Sequence, residues 1–208
     1  MAVPYAKTKN GIESQFATNH LGHFVLTQRL MPFLKKAAAE TDGSGAVRVV
    51  NVSSSGHLIC PFRPDNINFD DGKTYDPFSG YGKSKTANIL FTKGLANRGV
   101  TSFALHPGLI FSIRISRTAS ISVCSVRSTR LQRGTLGKSL EAWTSPRPWT
   151  RGCATTLVAA FDPSIVNANG SYLRVCQVSE VAEHARDEAS IEKLWEVSEK
   201  LVGEKFVI

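Results

Sequence analysis

Apolar positions recur at helical spacing in the first quarter of the chain. Ile12, Phe16, His20 and Phe24 fall about one turn apart, and Leu30, Phe33 and Leu34 extend the stripe. Asn10-Gly-Ile-Glu13 reads as the start of this helix: Asn10 can accept from an early helical N–H, and Glu13 can reach back as in a capping box. Pro32 is expected to kink or divide the helix, because proline removes a backbone hydrogen bond and crowds the preceding turn. Lys35 to Glu40 is a more polar end, and Gly43-Ser-Gly45 is a turn. Ala46-Val-Arg-Val-Val-Asn-Val52 is β-branched and mostly apolar, the pattern of a buried strand. Residues 56–79 form a long polar loop with Pro61, Pro64 and Pro77.

Tyr81 to Arg98 is a second helix, with Tyr81, Ser84, Asn88, Phe91 and Leu95 along one stripe. Val100-Thr-Ser-Phe-Ala-Leu105 is a second strand, closed by His106-Pro-Gly108. Ala154 to Phe161 reads as helix and Ser171 to Val175 as a short strand. Ser190 to Leu201 is an amphipathic helix with Ile191, Leu194, Trp195 and Leu201 on its apolar face. Helices alternating with strands predict an α/β fold with a parallel, doubly wound (Rossmann-like) sheet, in a single domain over 1–208.

The stretch 111–151 breaks the pattern. It holds eight serines, five threonines and seven arginines against a single acid, Glu141, and neither a two-residue nor a 3.6-residue period persists. The formal net charge of +8 sits almost wholly here, since this stretch contributes +7 and the remainder +1. An arginine-rich insert that binds RNA is one reading, with Trp143 and Trp149 as stacking residues. A segment out of frame or left unspliced accounts better for acids vanishing and periodicity returning at residue 154. The chain is therefore expected to bind no nucleic acid.

The remaining composition sets bounds. Cys60, Cys124, Cys153 and Cys176 stand apart with no Cys-x-x-Cys pair, which suits a reducing compartment and suggests neither zinc nor a disulfide framework. His20 and His23 lie three apart on a helix, but no third ligand follows at metal-site spacing. No run of 18 apolar residues and no leader pattern occurs, so a cytoplasmic protein without a membrane span is expected. Asn169-Gly-Ser171 fits the glycosylation pattern but reads as a turn into the last strand.

Three features carry chemistry. Asn51-Val-Ser-Ser54 puts a serine pair at the end of a strand. Tyr81 and Lys85 share one helical face, since i and i+4 are neighbours. Asn19 lies inside the first helix. Taking hydride from a carbinol requires a base for the hydroxyl proton. A tyrosine can serve if a nearby ammonium depresses its pKa, and a serine hydroxyl can hold the substrate oxygen. An asparagine can hold a water that links the lysine to solvent.

By these motifs the chain resembles the short-chain dehydrogenase/reductase family, in the branch holding the retinol dehydrogenases and the WW-domain oxidoreductase. Residues 11–34, with Thr18-Asn-His-Leu-Gly-His-Phe24, resemble the family's fourth helix. Arg48-Val-Val-Asn-Val-Ser-Ser54 resembles its fifth strand, and Tyr81-Gly-Lys-Ser-Lys85 with Ala87-Asn-Ile-Leu-Phe91 its catalytic helix. His106-Pro-Gly108 resembles the turn beside nicotinamide. The match covers about 1–110 and resumes near 152–208.

The resemblance implies an NAD(P)-dependent oxidoreductase that interconverts an alcohol and a carbonyl. Tyr81 is then the acid/base, Lys85 lowers its pKa and bonds the ribose, Ser54 orients the carbonyl, and Asn19 completes the tetrad. Ser53 and Ser55 remain alternatives to Ser54. The cofactor, NADP ahead of NAD, would meet Asn19, Tyr81, Lys85, Pro107 and Gly108. The partner is a small-molecule alcohol or carbonyl, the oligomeric state is left open, and no metal is implied.

Two departures from the family follow. The chain has no Gly-x-Gly-x-x-Gly turn to seat a pyrophosphate on a helix N-terminus. The expectation is a family fold lacking its first βαβαβ half, roughly 80–100 residues. Ser112 falls where the family often has a threonine for the carboxamide, inside the discordant stretch. The competing expectation is thus a catalytically inactive fragment of such an enzyme.

Overall fold

The computed structural model describes residues 1–41, 45–108 and 152–208. The readings made above for 111–151, including Ser112, Trp143 and Trp149, lie outside the described residues.

The chain enters helix two residues after the apolar stripe begins at Ile12. α1 (Ser14–Phe16) begins at Glu13, whose own carboxylate accepts from Gln15 N and Phe16 N at 2.7 and 2.9 Å. The cap is therefore Glu13 rather than Asn10. Asn10 stays in a turn with Gly11, which adopts φ +76°. A one-turn π-helical segment, Ala17–Leu21, follows and carries Asn19 and His20. It passes directly into α2 (Gly22–Ala39). Pro32 lies inside α2 without dividing it; the irregularity comes earlier, at the π segment that ends at Leu21. Leu30 and Phe33 face outward, while Phe24 and Met31 face the core.

β1 (Val49–Val52) pairs in parallel with β2 (Ser102–His106), and β2 pairs in parallel with β3 (Tyr172–Arg174). β4 (Gln177–Ser179) folds back antiparallel on β3 and was not anticipated, because no alternating stripe marks it. The sheet order is β1-β2-β3-β4. β1 was expected to be buried, but it is an edge strand among the described residues. Val49 and Val50 are half-buried, and Val52 is 42% exposed.

Between β1 and β2 runs α3 (Pro77–Asn97), longer than the stripe suggests because Asp76 caps it through Ser79 N and Pro77 occupies its first turn. α4 (Ala154–Phe161) precedes β3, and α5 (Glu188–Val202) comes last. Asp187 caps α5, and Gly203 ends it at φ +80°, a left-handed geometry that favours glycine.

Strand alternation sorts the core into three layers. Phe103, Leu105 and Leu173 pack on Ala159 of α4, while Ala104 and Tyr172 face Ile89 of α3 on the opposite side. Arg48 locks the α4 layer by donating to the Ala159 and Asp162 carbonyls at 3.2 and 2.9 Å. Asn51 of β1 donates to Thr92 Oγ1 of α3 at 2.9 Å, and Ser102 Oγ of β2 donates to the Thr92 carbonyl at 2.8 Å.

The largest cluster joins α1, α2, α3 and α5. Trp195 lies 5.3 Å from Phe24, 5.8 Å from Phe91 and 5.0 Å from Phe206, ring centroid to centroid, and the Arg98 guanidinium covers it at 4.0 Å. Trp195→Ala is expected to cost about 3–5 kcal/mol through lost transfer energy and cavity formation. Denaturant unfolding measures this, and a loss under about 1 kcal/mol would mean the cluster collapses around the gap.

Candidate active site

The C-terminal ends of β1 and β2 bring the sequence motifs together. The backbone leaves β1 at Val52 and turns through Ser53 and Ser54 into a single 3-10 turn, Ser55–Leu58. The three serines take different partners. Ser53 is buried and donates to the Lys85 carbonyl at 2.7 Å, which ties the turn to α3. Ser55 lies beside the Tyr172 hydroxyl. Ser54 is half-exposed; its Oγ accepts from Gly56 N at 3.0 Å, and its side chain lies close to that of Tyr81. Tyr81 and Ser54 thus lie together on one side of the sheet.

Gly56 allows this approach, since a Cβ there would fall 2.8 Å from Tyr81 Cε1. Gly82 does the same one helical step on, where a Cβ would meet the Gly56 carbonyl at 2.8 Å. The serine turn therefore sits almost directly on the α3 backbone.

Lys85 reaches the end of β1. Its Nζ donates to the Val52 carbonyl at 2.9 Å and lies 5.6 Å from the Tyr81 ring centroid. Burial lowers its pKa to about 8. Tyr81 departs from the sequence expectation here. Burial pushes its phenol above the ordinary value, and the nearby Ser54 side chain opposes that only in part. The lysine is not among the groups lowering it.

Asn19 joins through α3. Its Nδ2 donates to Ser84 Oγ at 3.0 Å, and Ser84 Oγ donates to the Tyr81 carbonyl at 2.7 Å. The π segment carries Asn19 to this position; such bulges concentrate at functional sites. One turn on, His23 lies near Lys85, and its pKa is lowered first by burial and then by that ammonium. His20 points the other way into the aromatic cluster, with Nε2 2.7 Å from Ser198 Oγ. The two histidines thus serve different surroundings.

Pro107 and Gly108 follow β2 at the same end of the sheet, Gly108 at φ +95°. The Asn169 side chain accepts from Ser102 N at 2.8 Å, so it pins the start of β2, as a turn residue would. No helix among the described residues is long and apolar enough to cross a membrane.

The chain is 35% identical over 211 residues to retinol dehydrogenase 12 of Mus musculus, covering 98% of this chain and 58% of that protein. It is 33% identical over 211 residues to short-chain dehydrogenase TIC 32 A, chloroplastic, of Brassica napus, covering 97% and 61% respectively. The chain is a homologue of the short-chain dehydrogenases. A crystal structure of an uncharacterised protein from Mycobacterium paratuberculosis superposes on this dehydrogenase homologue with a TM-score of 0.59 and 26% identity, covering 100% of this chain and 65% of that one. No protein-family model matches the chain. The short-chain dehydrogenase homologue spans a little over half the length of the curated relatives it matches.

Sequence reasoning missed the residues that hold the site in place: Gly56, His57 and Ser84. Ser84 lay on the α3 stripe, with no site role attached to it. The others fall in a loop, where periodicity carries no signal.

Proposed function

We propose that residues 1–208 carry the catalytic half of an NAD(P)-dependent short-chain oxidoreductase that interconverts an alcohol and a carbonyl. The observation that supports this most is the pairing of the Ser54 and Tyr81 side chains at the C-terminal end of β1, with Lys85 beside them. Open parallel sheets bind ligands at that end.

Ser54 holds the substrate oxygen, and Tyr81 gives or takes its proton at the phenol oxygen. Lys85 sits with its ammonium behind Tyr81, and Asn19 supports the helix turn that carries Tyr81 through Ser84. A nicotinamide dinucleotide supplies the hydride donor or acceptor when bound. The residues present fit its nicotinamide end: Lys85 and Asn19 offer donors, and the Pro107-Gly108 turn lies at the same edge. NADP is the first cofactor to test and NAD the second.

Retinol belongs among the first alcohols to test, because relatives carry it in their names. The experiment follows reduced nicotinamide absorbance with a panel of primary and secondary alcohols, retinol included, and with the matching carbonyls. It uses the chain joined to an upstream dinucleotide-binding half. Turnover that disappears in Ser54→Ala supports the reading; turnover indifferent to that change, or none with any substrate, counts against it. A second reading, an inactive fragment, is favoured by the unpaired outer edge of β1 among the described residues.

A further inference from the structure

Beneath the serine turn lies a histidine with every polar atom engaged. His57 is 2% exposed. Its Nδ1 is 2.8 Å from the Ser54 carbonyl, and its Nε2 accepts from Ala182 N at 3.3 Å. Its backbone carbonyl accepts from Thr86 Oγ1 at 3.1 Å and from His184 Nε2 at 2.8 Å. The Tyr172 ring stands edge-on to the imidazole at 5.1 Å.

These partners fix its protonation. The Ser54 carbonyl can only accept, so Nδ1 carries the proton. The Ala182 amide can only donate, so Nε2 presents its lone pair. Only the neutral Nδ1–H tautomer satisfies both. An imidazolium would set two donors nose to nose at Ala182. Burial is the largest influence and favours the neutral ring; His184 and Arg174 act in the same direction, and the Ser54 carbonyl opposes them.

We propose that His57 is a positioning residue for Ser54, a role that rests on the dehydrogenase reading: it clasps the serine turn to the 182–185 segment and so sets the Ser54 hydroxyl against Tyr81. The segment it grips is sequence-distant, 125 residues on, and is itself a single turn, Glu183–Ala185. Ser54 has no regular element of its own to hold it. Its carbonyl takes both the His57 amide, at 3.2 Å, and the His57 ring, so the ring fixes the plane of the peptide from which the Ser54 side chain departs.

The test is nuclear magnetic resonance on the full chain with nitrogen-15 histidine and carbon-13 tyrosine. In the native chain the expected His57 signature is a protonated Nδ1 and a bare Nε2 at neutral pH. His57→Ala is expected to displace the Ser54 and Gly56 amide resonances and to move the Tyr81 titration up by about one pH unit, the worth of one hydrogen bond to the charged form. His57→Asn keeps a donor near the Nδ1 position and should restore most of the Tyr81 titration. Ala182→Pro suits the native φ of −57° and removes only the donor to Nε2. It should raise the His57 titration while leaving the fold intact, which keeps the test valid if His57→Ala does not fold.

An Nε2–H tautomer, or a Tyr81 titration unchanged in His57→Ala, overturns the proposal even where turnover depends on Ser54. Conversely, the expected resonance shifts in a protein that never turns over even when joined to an upstream dinucleotide-binding half leave the clasp standing and remove the enzyme reading.

Discussion

Tyr81→Phe is expected to lower turnover by about 10²–10⁴-fold, the range for removing a positioned proton donor or acceptor. The change deletes one oxygen from a ring that Gly56 and the α3 turn already hold, so the fold should survive and circular dichroism should match the parent. Direction and pH follow from the two shifted groups. Burial raises the Tyr81 phenol above its ordinary value, so at neutral pH it is protonated and ready to donate. Carbonyl reduction should therefore run well at neutral pH and decline as the phenol ionises. Alcohol oxidation needs the phenolate and should climb with pH. Lys85, lowered to about 8, is an ammonium below that pH and a neutral amine above it, but it is not among the groups that shift the phenol, so its loss of charge leaves the Tyr81 titration where burial puts it. The oxidation profile should then keep rising through about pH 8 toward the phenol value. A Tyr81→Phe protein that keeps more than about a tenth of its turnover would place the acid/base elsewhere.

Elements whose packing is local were legible in the sequence. α4 runs from Ala154 to Phe161 as its apolar pattern proposes, and Tyr81, Lys85 and the stripe to Leu95 lie on α3 as i, i+4 spacing demands. Features set by distant partners were not. Glu13 displaces Asn10 as the cap because Asn68 Oδ1 accepts from the Glu13 amide at 2.9 Å and fixes the entry of the chain, a contact 55 residues away. Leu30 and Phe33 continue a helical period yet face outward, since periodicity marks a face without saying what covers it. The π segment leaves no trace in composition, although it places Asn19. At the site, spacing offered three serines; only their contacts with Lys85, Tyr81 and Tyr172 separate them. The tyrosine–lysine pair was legible, but its electrostatics were not, because the burial that shifts both groups comes from other elements packed around them.

The second large effect concerns cofactor affinity. Residues 1–208 expressed on their own are expected to bind NADP(H) or NAD(H) no tighter than about millimolar. The groups at the C-terminal end of the sheet, Asn19, Tyr81, Lys85 and the Pro107-Gly108 turn, can meet a nicotinamide and its ribose. A pyrophosphate needs the N–H groups of a helix N-terminus behind a glycine-rich turn, and no such motif occurs in these residues. Several charge-assisted hydrogen bonds, at about 1.5–3 kcal/mol each, are then missing, which lowers affinity by several powers of ten. Among the described residues the outer edge of β1 is unpaired, with Val52 exposed, and an open strand edge invites association between copies. An upstream half that supplies a strand beside β1 and a glycine-rich strand–turn–helix should cover that edge and bring binding into the micromolar range together. Calorimetry on the two proteins decides the matter. Micromolar binding by residues 1–208 alone would mean that this end of the sheet holds the phosphates through groups other than a helix N-terminus.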